Sequence, residues 1–127
     1  MHTEFIELQS GTPGTCQTLQ VMRFGRAGAS PKVYIQGALH ADEVPAILVA
    51  HQLAAKLAEL EASGAITGEI VLVPLANPIG LAQMVLGQHH GRFDLRDGGN
   101  FNRGYAELAD KVAVQLQGTL TDRKSVV

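Results

Sequence analysis

The chain has 127 residues, 46% hydrophobic and 17% charged, with a formal net charge of -2, no Trp and one cysteine. That is one domain's worth of chain, long enough to bury a sizeable core. The scattered basic residues leave no footprint for nucleic acid, the lone cysteine excludes a disulfide framework or a cysteine zinc cluster, and the acidic N-terminus without an apolar run reads as neither signal peptide nor membrane span.

The first strand is expected over residues 5–8, closed by the turn formers of 10–14. Residues 17–24 alternate in part, with Leu19 and Val21 on one face and Met22 and Phe24 on the other. After a turn over 25–31, Lys32–Gln36 is a β-branched and aromatic strand ending at Gly37. An irregular link over 38–43 leads into a helix over 44–61. There Val44, Ile47, Leu48, His51, Ala54, Ala55 and Ala58 recur at three- and four-residue steps, Pro45 suits the first turn, and Ser63-Gly64 closes the helix. His51, on that stripe, is expected as a hydrogen-bonded core residue.

Residues 69–75, EIVLVPL, form a nearly continuous apolar strand, the mark of burial on both faces. Asn77-Pro78 and Gly80 turn the chain at the sheet's edge, a mechanical role. Residues 87–100 read as a polar loop. Tyr105, Leu108, Ala109, Val112, Ala113 and Leu116 give a second helical stripe, stopped by Gly118. A strand–helix–strand crossover implies an α/β sheet with at least one parallel pair. The final helix is followed by no further strand, so the sheet is expected to be small or the chain incomplete.

Two stretches could carry chemistry. His40 and Glu43 lie just past the carboxyl end of a strand, where ligands bind in open α/β sheets. An imidazole and a carboxylate three residues apart can converge on one ion if the link turns, and zinc accepts that pairing. The bland reading is a chance His-x-x-Glu pair. The second stretch, GRFDLRDGGNFNRGY, holds three arginines and two asparagines before a helix. The planar guanidinium matches a carboxylate, so Asn102-Arg103 could grip a substrate carboxylate, and Arg92 or Arg96 could polarise a carbonyl. The competing reading is that Asp94 and Asp97 merely neutralise the arginines. His89 and His90 could supply at most one further ligand, because adjacent side chains point apart.

GALHADE, ANPIG and GRFDLRDGGNFNRGY, in this order and rough spacing, resemble the succinylglutamate desuccinylase/aspartoacylase family, zinc-dependent deacylases related to the metallocarboxypeptidases. The resemblance covers nearly the whole chain as the family's N-terminal portion, residues 1–127. It implies a three-layer α/β/α fold with a mixed, partly parallel sheet, metallocarboxypeptidase-like and truncated. It implies His40 and Glu43 as the first two zinc ligands, Arg92 as the carbonyl-polarising arginine with Arg96 as rival, and Asn102 and Arg103 as the pair holding the substrate carboxylate. The implied reaction is hydrolysis of the amide of a small N-acylated amino acid or amine. The third ligand and the general-base glutamate of such enzymes are expected beyond residue 127. Family members often carry Gly where this chain has Ala41, and many carry Asp where it has Asn100.

The remaining expectations are a cytoplasmic protein with Cys16 reduced, no nucleic-acid or membrane partner, and a homo-oligomer where an unpaired sheet edge invites pairing. A different class of reading is a non-catalytic α/β module that binds a small carboxylate or a partner chain.

Overall fold

A computed structural model describes residues 1–9 and 13–105. Among them the main sheet has four strands in the order β1-β2-β4-β3. β1 (His2–Leu8) and β2 (Gln17–Gly25) form an antiparallel pair, with Phe5 opposite Gln20. β3 (Lys32–Gln36) runs parallel to β4 (Glu69–Val73), with Tyr34 opposite Val71. β4 pairs with β2 on its other side, antiparallel, so it is central. The link between β3 and β4 is α1 (Val44–Ala62), which makes this the expected strand–helix–strand crossover in a mixed sheet.

The composition of β4 follows from that position. Glu69, Val71, Leu72 and Val73 are buried and Ile70 is half-buried. The strand stops at Val73, two residues short of the expected end, because Pro74 has no N–H to offer the ladder. Alternation then builds a core on each face. On one, Phe24 and Leu72 are fully buried against Ala50, Ala54 and Leu57 of α1, with Met22 and Ile70 beside them. On the other, Val21, Val71 and Val73 cluster with Leu19 and Ala76. The split of β2 into Leu19/Val21 and Met22/Phe24 faces is the one its alternation implied. Each large side chain buried this way contributes about 2–3 kcal/mol.

The helix face differs from the expected stripe. The buried line runs through Ala50, Ala54 and Leu57, while Val44 and Leu48 are 58% and 61% exposed. His51 is exposed rather than a core residue. Apolar residues surround much of α1, so periodicity left its rotation open. The close approach to Phe24 and Leu72 selects the alanine-lined side, which lets the backbone come near the sheet.

Beyond β4, α2 (Pro78–Leu81) is a single turn, and β5 (Met84–Val85) pairs with β6 (Gln88–His89) in a small hairpin. The polar stretch over 87–100 therefore begins inside a hairpin rather than as a plain loop. Of the three expected layers, the described residues show the sheet and the α1 layer. The stripe expected after Tyr105 lies outside the described residues. None of the described helices is long and apolar enough to cross a membrane.

Candidate metal centre

The parallel pair β3/β4 ends in a mouth bounded by three loops. The Gly37 N–H donates to the Val73 carbonyl (3.0 Å) and the Ala76 N–H to the Gly37 carbonyl (2.8 Å), which extends the ladder one step past β3. Ala38 then takes φ of 59°, an uncommon conformation for a residue with a Cβ, and the chain swings across the sheet's end. The Glu43 N–H closes a turn onto the His40 carbonyl (3.1 Å). His40 is 4% exposed, packed under this turn.

Asn77 holds the turn from behind. Its Nδ2 donates to the Leu39 carbonyl (2.8 Å) and its Oδ1 accepts from the Gly80 N–H (2.8 Å). The mechanical role expected of it thus includes tying the segment after β4 to the residue preceding His40. Gly91 ties the third loop. The Ala41 N–H donates to the Gly91 carbonyl (2.9 Å), and a Cβ at 91 would lie 2.2 Å from the Asp42 nitrogen, so the two backbones approach as only glycine permits. Gln83 braces that loop, donating to the Phe93 carbonyl (2.7 Å) and accepting from the Leu95 N–H (2.8 Å).

These ties bring five side chains together. His40 Nδ1 lies 3.3 Å from Glu43 Oε1. Arg92 Nη2 donates to the same Glu43 oxygen at 2.7 Å, and its Nε lies 3.8 Å from Asp42 Oδ2. His40 Nε2 meets Asn100 Oδ1 at 2.7 Å. Glu43 sits at the N-cap position of α1, yet its carboxylate makes no capping bond and is directed to this cluster. Its carboxyl is held below the usual carboxylate range, first by the Arg92 hydrogen bond and then by His40.

The other expected residues divide. Arg96 is turned away, locked on Asp94 through Nε (2.9 Å) and Nη2 (2.6 Å); there the neutralising reading of the loop's charges holds. Asn102 reaches the cluster by its backbone, its N–H donating to Asn100 Oδ1 (2.9 Å), while its side chain accepts from the Tyr105 hydroxyl (2.5 Å). Arg103 is exposed and donates to the Asn102 carbonyl (2.6 Å). Among the described residues, no hydrogen bond or ion pair joins Arg103 to His40, Glu43 or Arg92. His89 and His90 line an open cleft of about 280 Å³ with Asp42, Arg92, Phe93 and Leu95. The His89 ring meets the Gly80 carbonyl at 3.1 Å. Among the described residues no group of three or more His, Cys, Asp or Glu is placed to hold a metal ion.

His40 and Glu43 fit a metal as a pair. A tetrahedral zinc with bonds of about 2.0–2.2 Å sets its ligands about 3.3–3.5 Å apart. The observed 3.3 Å matches such an edge in length, and is equally the length of a hydrogen bond between the two side chains. Gln83 and Gly91 were not singled out from the sequence, and Asn100 was noted there only as standing where many family members carry Asp. Only Gly91 had a local signal, as a glycine opening a polar segment; Gln83 reaches residues 7 to 12 positions further on, and Asn100 reaches His40 across 60.

The chain's residues 29–124 match the model of the succinylglutamate desuccinylase/aspartoacylase catalytic domain. Two solved structures resemble it, both of proteins assigned to the same family. One, from Shewanella amazonensis, is 29% identical with a TM-score of 0.59 over 91% of this chain. The other, from Shewanella frigidimarina, is 26% identical with a TM-score of 0.64 over 94%. This chain spans about a third of each, 32%. No curated protein matches it.

Proposed function

The chain belongs to the succinylglutamate desuccinylase/aspartoacylase catalytic-domain family, and from that premise we propose that residues 1–127 supply the N-terminal part of a zinc-dependent deacylase domain that hydrolyses the amide of a small N-acylated amino acid or amine. The observation that carries the reading is the convergence of His40, Glu43 and Arg92 at the mouth of the parallel strands, with two metal-type donors 3.3 Å apart.

His40 and Glu43 would hold the ion. When bound, zinc supplies Lewis-acid polarisation and makes a nucleophile available at neutral pH. Arg92 carries five donors in a rigid fork, so it can keep Glu43 and still direct an N–H at a substrate carbonyl oxygen. Arg96 is committed to Asp94, which favours Arg92 for that role. Arg103 makes no ion pair among the described residues, and its exposed guanidinium is available, with Asn102, to a substrate carboxylate. The cleft beside Arg92 is open to solvent and, at about 280 Å³, has room for an acyl or amine portion.

The test is zinc titration of the purified chain by calorimetry, followed by binding of N-acetyl and N-succinyl amino acids with and without chelator. Complete structural zinc sites bind with roughly 10–16 kcal/mol. Two ligands, about half a site, give roughly 5–8 kcal/mol, a Kd between submillimolar and micromolar. His40→Ala and Glu43→Ala should each abolish that binding. Zinc binding that survives both substitutions, or none in the parent, defeats the proposal. N-acyl amino acid binding indifferent to chelator would point instead to a metal-free carboxylate-binding module.

A further inference from the structure

We propose that the cleft beside Arg92 selects an uncharged, apolar acyl group, with Phe93 and Leu95 as its specificity-determining residues. The inference rests on the deacylase reading above, and names the class of acyl group that reading leaves open.

The wall of the cleft is held open from behind. Phe93 and Leu95 are 47% and 51% exposed, two large apolar side chains at alternate positions of one short segment, both lining the cleft. Left free, such a pair would fold inward, away from water. The Gln83 amide prevents it. Its Nε2 donates to the carbonyls of His90 (2.5 Å) and Phe93 (2.7 Å), and its Oε1 accepts from the Leu95 N–H (2.8 Å), so one side chain spans the loop. Asp94, between the two apolar residues, is buried, and its N–H donates to the Gly99 carbonyl (2.7 Å). Gly91 adds no side chain to the lining, which leaves a space of about 280 Å³. A fixed apolar wall beside a few polar groups is the ordinary make-up of a small-molecule site.

Charge decides which acyl group suits that wall. Among the described residues lining the cleft, Arg92 carries the one guanidinium or ammonium group, and two carboxylates already share it, Glu43 at 2.7 Å and Asp42 at 3.8 Å. Arg96 is held by Asp94 at 2.6 Å. A distal carboxylate, such as a succinyl chain carries, would enter beside Asp42, lose hydration, and meet no unpaired cation among these residues. An uncharged chain gives up no such hydration and covers the apolar surface of Phe93 and Leu95. The acyl side is the portion that reaches the cleft. In the reading above the amino-acid carboxylate goes to Asn102 and Arg103, and neither lines the cleft.

N-benzoylglycine and N-succinylglycine test this, because with glycine as the amine only the acyl group can fill the cleft. Each is titrated into the full chain, with zinc and again with chelator, at about pH 8, where an imidazole of ordinary pKa is uncharged. The backbone amide signals of His90, Phe93 and Leu95 are followed by NMR. N-benzoylglycine should move these signals and bind at least about 10-fold more tightly than N-succinylglycine. Phe93→Ala should remove most of that preference. Leu95→Lys, which puts a cation on the exposed wall, should turn it towards the succinyl compound. N-succinylglycine binding as tightly as N-benzoylglycine in the parent overturns the inference, and so does a preference unchanged in both variants. If the chain binds no zinc but N-benzoylglycine still moves these signals, the metal reading falls and the selectivity of the cleft stands. If zinc binds and neither compound moves them, the metal reading stands and the inference falls.

Discussion

Replacing Gly91 by alanine should damage both the fold and the site. Gly91 has no positive φ to require it; its constraint is proximity. The added Cβ would sit 2.2 Å from the Asp42 nitrogen and 2.7 Å from the Ala41 carbonyl carbon, against a practical floor of 3.0 Å, so the loops must part by at least about 0.8 Å. That separation breaks the Ala41–Gly91 hydrogen bond of 2.9 Å between two buried residues. Overpacking of this kind costs about 1–3 kcal/mol, and an unsatisfied buried backbone group costs a similar amount. The two overlap, since moving apart relieves one by incurring the other, so the sum is about 2–4 kcal/mol. For a chain of this size that lowers Tm by roughly 10 °C. Arg92 is the next residue and should lose its contact with Glu43. Thermal and urea unfolding of Gly91→Ala are compared with Gly87→Ala, where φ is +78° but nothing lies within 4 Å, and where only backbone strain of about 1 kcal/mol is expected. If Gly91→Ala unfolds within about 0.5 kcal/mol of the parent, or Gly87→Ala is the worse of the two, the close approach does not organise this site.

Leu72→Ala empties a fully buried position between Phe24 and the alanines of α1, and should cost about 2–5 kcal/mol by urea unfolding; a loss below 1 kcal/mol would mean that the cavity closes and that β4 is not the rigid centre of the sheet. Glu69 is buried, and its carboxyl is held below the usual range, first by the Gly28 N–H and then by Lys32, with Arg23 adding to the effect. A folded-state pKa depressed in this way stabilises the protein above the unfolded value of about 4.3, and that stability is lost as pH falls through the folded value. The urea midpoint should therefore be level from pH 7 to 5 and drop below about 4. Glu69→Gln should start lower at pH 7 and show a shallower acid limb, and a limb of unchanged steepness would remove Glu69 from the account.

Much of the architecture was legible because it is local. β3, the start of α1 and the two faces of β2 follow from alternation, β-branching and the placement of Pro45. The uninterrupted apolar run of β4 announced a central strand. The approach of His40 to Glu43 was readable as one option, conditional on the link turning, which it does. The hairpin of β5 and β6 was missed because two-residue strands carry almost no periodic signal.

Sequence by itself determined β1 to β4 and α1, the parallel crossover that places a mouth at the end of β3, and the residue types available there. Only the tertiary structure decided which side of α1 is buried, which arginine stands at the mouth, and which group holds the imidazole. Arg92 and Arg96 are equivalent in chemistry and four residues apart. What separates them is that Gly91 lets one loop touch another 49 residues away, while Asp94 captures its neighbour. Such choices depend on backbone distances between remote segments, and no local pattern encodes a distance.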